Sequence, residues 1–169
     1  KRIISIPCTK PVNFDRKSYI INPYMLGILI SEGNLTNGNV VYTTCETEVY
    51  NRINDQIDSS VYCIKTKNNI DHRVVKINRS SKNNIYKEEL KKLNLWGKYS
   101  YEKHIPKIYK FGSIDQRIAL LQGLMDGDGT VSKQGSISYC TTSYELAKDF
   151  SELIYSLGGT TKINTKIGS

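Results

Sequence analysis

Two ten-residue stretches constrain this chain more than anything else in it, because they are copies of one pattern. Residues 24–33 read YMLGILISEG and residues 120–129 read LLQGLMDGDG. Each is an apolar run with small residues four apart, Gly27 and Ser31 in one copy, Gly123 and Gly127 in the other. Each ends in a carboxylate followed at once by glycine, Glu32–Gly33 and Asp128–Gly129. In a helix, positions i and i+4 share a face, and a face of small residues lets a second backbone come unusually close. The glycine after each acid is expected to stop its helix by accepting positive φ, which costs it no Cβ clash. Two such helices packed through their small faces would bring Glu32 and Asp128 out at the same end. Adjacent carboxylates repel unless a cation lies between them, and oxygen ligands favour magnesium.

The rest of the chain repeats with these stretches. Residues 38–44 (GNVVYTT) align with 135–141 (GSISYCT) at an offset of 97, whereas the two acids are 96 apart, so one residue is inserted in the second turn. A long internal repeat means one supersecondary unit used twice. Asn22–Pro23 is expected to cap the first helix, proline being favourable in a first turn. Asn37–Gly38 signals a hairpin turn, and 39–45 reads as a strand. Residues 46–57 are expected as a helix with Val49, Ile53 and Ile57 four apart. Strands follow at 61–67 and 72–78 around Asn68–Asn69, then a helix at 83–93. In the second half, 144–157 reads as a helix closed by Gly158–Gly159, and 160–167 as a strand. No sequence follows for a partner strand or final helix, so the second repeat is expected to be incomplete. Residues 1–22, with Pro7 and Pro11, read as an extended lead-in with one short strand at Ile3–Ile6. Residues 23–115 and 116–169 are then the two repeats.

Charge narrows the partner. Lysine and arginine total 24 against 16 acids, a net +8 with pI near 9.2. Such a balance points to a polyanion. Nucleic acid fits better than a membrane, since no basic amphipathic helix or long apolar run is present. Nothing at the N-terminus reads as a signal peptide. Cys8, Cys45, Cys63 and Cys140 have no C-x-x-C spacing, which argues against zinc and a disulfide scaffold and for thiols in a reducing, intracellular compartment, cytoplasmic or nucleoid/nuclear. The 12 tyrosines are expected mainly as half-buried packing residues.

The paired stretches resemble the signature of the LAGLIDADG (dodecapeptide) homing endonucleases. The copy at 121–129 matches closely; the first is looser, with Ser31–Glu32 where the pattern has a small residue and Asp. The resemblance covers about residues 20–167 and implies an α/β (α+β) fold of two pseudo-symmetric αββαββα repeats, the second truncated, forming a saddle over DNA. It implies a magnesium-dependent endonuclease with Mn2+ as a substitute cation, hydrolysing phosphodiesters at a long double-stranded target. It also implies a monomer acting as an internal pseudo-dimer. Glu32 and Asp128 are the expected catalytic metal ligands, while Asp126 lies on another helical face and is expected to brace the turn. Lys103, two residues before Ile105–Pro106, is the expected basic residue of the centre, orienting water or stabilising charge at the scissile phosphate. The equivalent lysine of the second half would lie beyond residue 169, so cutting of both strands by this chain alone is in question.

For DNA contact the resemblance implies strands entering the major groove, where alternate side chains share a face. Candidates are Tyr42, Thr44, Lys65, Lys67, Arg73, Lys76 and Arg79 in the first half, and Lys133, Ser136, Ser138, Lys162 and Lys166 in the second. Lysines there are expected to meet phosphate, with Arg73 or Arg79 reading guanine. The lead-in at 6–14, followed by 21–24, also looks like the endonuclease insert of an intein within a longer chain, although no splice-initiating residue or terminal His–Asn is present. The rival readings are a non-cutting DNA-binding protein of the same fold and an RNA-splicing maturase.

Overall fold

The computed structural model describes residues 9–78 and 83–166. The strand expected at Ile3–Ile6, Cys8 and the candidate Arg79 lie outside the described residues. Asn22 opens α1 (Pro23–Glu32), its Oδ1 accepting the Tyr24 N–H at 2.9 Å with Pro23 in the first turn. The chain continues into β1 (Gly33–Asn34), β2 (Val40–Thr43), α2 (Thr47–Gln56), β3 (Val61–Lys65), β4 (Asp71–Lys76) and α3 (Ile85–Lys92). That order is αββαββα. A 3-10 turn at Ser100–Glu102 and the single turn α4 (Lys107–Lys110) lead to α5 (Ile114–Asp128), β5 (Gly129–Val131), β6 (Ile137–Tyr139) and α6 (Tyr144–Ser156). The second copy thus runs αββα.

Both sheets are antiparallel. The first has strand order β1-β2-β4-β3, the second is the β5-β6 hairpin. Gly33 pairs with Tyr42 and Gly129 with Tyr139, so the glycine after each acid meets the tyrosine at the same repeat position. Gly38 and Gly135, equivalent in the repeat, both take positive φ, +66° and +80°, at the hairpin turns. Asn69 does the same at φ 62° in the turn between β3 and β4. Parity in the first sheet holds away from the strand ends. Val40, Tyr42, Val61, Cys63, His72 and Val74 are buried on the inner side, with α1, Tyr86 and Leu90 in the same core.

Two expectations are corrected. Gly33 and Gly129 do stop their helices, but in extended conformation (φ −83° and −84°) rather than left-handed. Glycine is required there because a Cβ would collide with the carbonyl oxygen of Leu29 or of Met125. Residues 160–166 are irregular and not a strand. They are held instead by side-chain bonds, Ser151 Oγ to Thr161 Oγ1 at 2.6 Å and the Tyr155 hydroxyl to the Thr161 carbonyl at 3.1 Å.

The part of the lead-in that is described, residues 9–22, is extended but docked on the second repeat. Gln116 brackets Lys17, accepting from its N–H at 3.0 Å and donating to its carbonyl at 2.6 Å. Arg117, wholly buried, donates to the carbonyls of Gly112, Ser156 and Val12, and its guanidinium lies 4.9 Å over the Phe14 ring. Among the described residues no helix is long and apolar enough to cross a membrane.

α1 and α5 pack glycine against glycine. A Cβ on Gly27 would lie 2.6 Å from the Leu120 carbonyl oxygen and 2.7 Å from the Leu124 nitrogen, and one on Gly123 would strike the Tyr24 carbonyl. Gly123→Ala is therefore expected to cost about 3 kcal/mol or prevent folding, whereas Gly135→Ala, in open space, should cost about 1 kcal/mol through its φ alone; urea denaturation compares the two.

His72 supplies a second test. Its ring stacks on Tyr42 at 5.0 Å and lies 4.8 Å from Tyr50, and Nε2 is 3.2 Å from the Thr44 carbonyl oxygen. Burial holds its pKa below the ordinary histidine value. The unfolded chain then binds a proton before the folded one as pH falls, so His72 subtracts stability below about pH 6.5. Denaturation at pH 7.5 and 5.5 should show a smaller acid loss for His72→Phe than for the natural chain.

Candidate active site

The close approach of α1 and α5 continues to their C-terminal ends. A Cβ on Gly127 would collide with the Ser31 side chain and lie 3.3 Å from Glu32 Cγ. The stem of Glu32 therefore runs against the last turn of α5, one residue before Asp128. Both acids are half-buried. Burial and the Asp128 charge raise the Glu32 pKa above the usual carboxylate value, partly offset by Lys103. Burial likewise raises Asp128, again opposed by Lys103.

Lys103 lies beneath this pair and is 3 % exposed. Its amine donates to the carbonyl oxygens of Leu29 (3.3 Å), Ile30 (2.8 Å) and Gly33 (2.7 Å), at and just past the end of α1, the Leu29 carbonyl also accepting the Gly33 N–H. An ammonium has three protons, and all three have backbone partners. The expected water- or phosphate-facing amine is thus not what the fold builds; the cation acts on the acids through space and through the helix end it caps. Burial lowers its pKa to about 8, against the raising influence of Asp128 and Glu32. The loop carrying it is anchored on α6, where Ser143 Oγ donates to the Lys103 carbonyl at 2.7 Å and Asp149 accepts the Ile105 N–H at 2.8 Å.

Sequence reasoning missed Tyr139. Its hydroxyl is 3.3 Å from Ser31 Oγ, its ring stacks on Phe150 at 4.3 Å, and burial, with the charges of Asp128 and Glu32 adding to it, pushes its pKa up. The available signal was the repeat itself, which places Tyr139 where Tyr42 stands in the first half. Asp126 was expected to brace the turn; it instead ties α5 to α1 and α2. It accepts from the Tyr24 hydroxyl at 2.7 Å and lies 3.8 Å from Arg52, whose guanidinium covers the Tyr24 ring at 3.8 Å. A cavity of about 340 Å³ opens beside Asp128, lined by Ser31, Ser100, Lys103, Cys140 and Thr141 among others. Among the described residues no three His, Cys, Asp or Glu side chains cluster. A hard cation would take the two carboxylates and complete its shell with water and substrate oxygens, a donor set that suits magnesium.

The DNA-contact candidates separate by strand parity. Tyr42 is fully buried in the core and is withdrawn as a contact. Thr44 is half-buried past the end of β2, its Oγ1 accepting the Glu46 N–H at 3.1 Å. Lys65 and Lys76 share the inner parity but stand at strand ends, Lys65 exposed and Lys76 half-buried. Lys67 is exposed in the following turn, and Arg73 is exposed on the outer face. In the second half Lys133 and Ser136 lie in the exposed hairpin turn, and Ser138 faces out with its Oγ 2.8 Å from Thr130 Oγ1. Lys162 and Lys166 are exposed on the irregular segment after α6.

Comparison with known proteins places this geometry. Residues 115–169, from the first turn of α5 onward, match the family model of a LAGLIDADG-like domain. The chain is also similar to the replicative DNA helicase DnaB of Mycobacterium intracellulare, 28 % identical over 162 residues, which is 96 % of this chain and 23 % of the helicase. It therefore spans about a quarter of the length of that relative.

Two half-buried carboxylates with raised pKa values disfavour the folded chain when both are ionised. Glu32→Gln and Asp128→Asn, measured without divalent ions at pH 7, should each leave thermal stability unchanged or raise it by up to about 1 kcal/mol; a clear loss would mean that the acids serve chiefly to hold Lys103.

Proposed function

We propose that this chain, whose residues 115–169 belong to the LAGLIDADG-like domain family, is a sequence-specific, magnesium-dependent endonuclease acting on a long double-stranded DNA site. The observation that carries the reading is the meeting of Glu32 and Asp128 at the joined ends of α1 and α5, each acid opening an antiparallel hairpin. A phosphodiester backbone lying over that junction would meet both acids and have one hairpin on either side. The net charge of +8 favours such a polyanion.

Glu32 and Asp128 would hold Mg2+, with Mn2+ as a substitute. When bound, such a cation neutralises charge at the phosphate and the leaving oxygen. The protein's own part is electrostatic. Lys103 holds both carboxylates lower than burial alone would set them, keeping them available as anionic ligands. It also fixes the end of α1 by three hydrogen bonds, so Glu32 keeps its position relative to Asp128. Ser31 and Tyr139 close the floor of the centre between the two repeats. The two repeats in one chain make an internal pseudo-dimer, so a monomer supplies both acids.

The match to DnaB takes in nearly all of this chain and under a quarter of the helicase. That proportion supports a segment carried inside a longer host chain, as an intein's endonuclease insert would be.

The test is cleavage of duplexes bearing candidate insertion sites from a host gene, with Mg2+ or with EDTA. Cutting should require the cation. Glu32→Gln and Asp128→Asn should each lower the cleavage rate at least about 100-fold while binding, followed by mobility shift, changes little. Specific binding with no cutting in any cation would favour the non-cutting regulator instead.

A further inference from the structure

The outer face of the first sheet has a chemistry that its inner face does not explain. Direct cross-strand pairing puts Val41, Arg73 and Ile64 in one transverse row over β2, β4 and β3. Tyr62 and Val75 form the next row on the same face. Ile64 is 38 % and Tyr62 39 % exposed, although both stand on a sheet whose other side is packed into the core. Arg73 rises from the middle of this apolar surface, exposed and without an ion pair among the described residues. The acid on the face, Asp71, is already engaged by Thr43 Oγ1 at 2.6 Å and Asn68 Nδ2 at 2.6 Å. Exposed Lys67 stands in the turn at one end of the patch, whereas Lys65 has the inner parity and lies over the Tyr50 ring.

An apolar surface carrying cations is an unusual match for a phosphate backbone, which offers nothing apolar. The major groove does. Of the four bases only thymine places a methyl group there, while guanine presents the O6 and N7 acceptors that a guanidinium engages in pairs. Neighbouring strands are about 4.8 Å apart and successive bases about 3.4 Å, so Val41 and Ile64 would fall within one or two base-pair steps of a guanine held by Arg73. Resting on the DNA-binding reading above, we propose that this face selects one half of the target as a guanine flanked by thymines, with Ile64 and Val41 reading the thymine methyls. The second hairpin differs. Its outer row is Thr130 and Ser138, hydroxyl to hydroxyl, which can donate or accept at any base and is indifferent to a methyl group. On that outer row the dependence on thymine methyls belongs to the first half alone; the second hairpin's exposed apolar pair, Val131 and Ile137, has the opposite parity.

Selection of the full chain against duplexes with a randomised centre, in Ca2+ to limit cutting, should enrich a site with guanine and adjacent thymines on one side. Replacing those thymines by deoxyuridine deletes the methyl and leaves the hydrogen-bonding edge unchanged. Affinity should fall about four-fold per contacted methyl, the equivalent of one buried CH2, and should not fall for thymines in the other half. Ile64→Ser, with Ile64→Asn as a second polar variant, should bind thymine and deoxyuridine equally at the position facing Ile64, while the position facing Val41 keeps its preference. Arg73→Ala should relax the guanine preference. An enriched site that tolerates deoxyuridine throughout, or an unchanged thymine-to-deoxyuridine ratio in both Ile64 variants, overturns the inference and leaves the DNA reading standing. Failure to enrich any sequence overturns both.

Discussion

The backbone of α1 touches the backbone of α5, and the other features of the centre follow from that contact. Helices bearing ordinary side chains pack about 8–10 Å apart, too far for residues at their ends to share one small site. Here Gly27 and Gly123 remove the side chains where the axes cross, and Gly127 faces Ser31 a turn later. The approach persists to the last turn, so the two chain directions leave the junction from nearly one place. Each then enters a strand through an extended glycine that a Cβ would block. One geometric condition thus sets the distance between the acids, the origin of both hairpins and the pseudo-symmetry.

Closeness has an electrostatic consequence that the fold manages with one residue. Two carboxylates and the carbonyl end of a helix converge, all of them negative. Lys103 is the buried counter-charge, and its hydrogen bonds go to the helix end while its field reaches the acids. Burying an unpaired ammonium would be costly; with three carbonyls on its protons and the field of two carboxylates reaching it through space, it is tolerated with its pKa still near 8. Even so both acids keep raised pKa values, because burial outweighs the single opposing charge of Lys103.

What could be read from sequence was whatever depends on local pattern. The small-residue spacing gave the helix contact, Asn22–Pro23 the cap, Gly38 and Asn69 the turns, and the offset of 97 the equivalence of the two hairpins. The role of Gly33 was read wrongly because glycine serves both positive φ and close approach, and only the path of the chain decides between them. Parity errors explain the misplaced DNA contacts. Tyr42 looks like a strand tyrosine able to face either way, and one residue of register sends it to the core and Val41 outward. The contacts of Arg117 and Tyr139 were hidden for another reason, although the repeat marks the position of Tyr139 itself. Their partners, Val12, Ser156 and Ser31, are far away in sequence, and no spacing rule links them.

The two halves share a plan but not a surface, and this difference bears on function more than the symmetry does. In the first half β2 is covered on its far edge by β4 and β3, giving a broad outer face with apolar rows and one arginine. In the second, among the described residues, β6 pairs with β5 alone, its outer row is a pair of hydroxyls, and its exposed apolar pair, Val131 and Ile137, has the opposite parity. The lead-in adds to the imbalance, since residues 9–22 are docked on α5 and α6 through Arg117 and Gln116 and not on the first sheet. Equivalent acids at the junction with unlike faces beside them suit a ligand whose backbone is uniform and whose edges are not. A DNA duplex has that character: the phosphates repeat while the groove changes from base to base, so a symmetric centre can act on a site whose two halves differ.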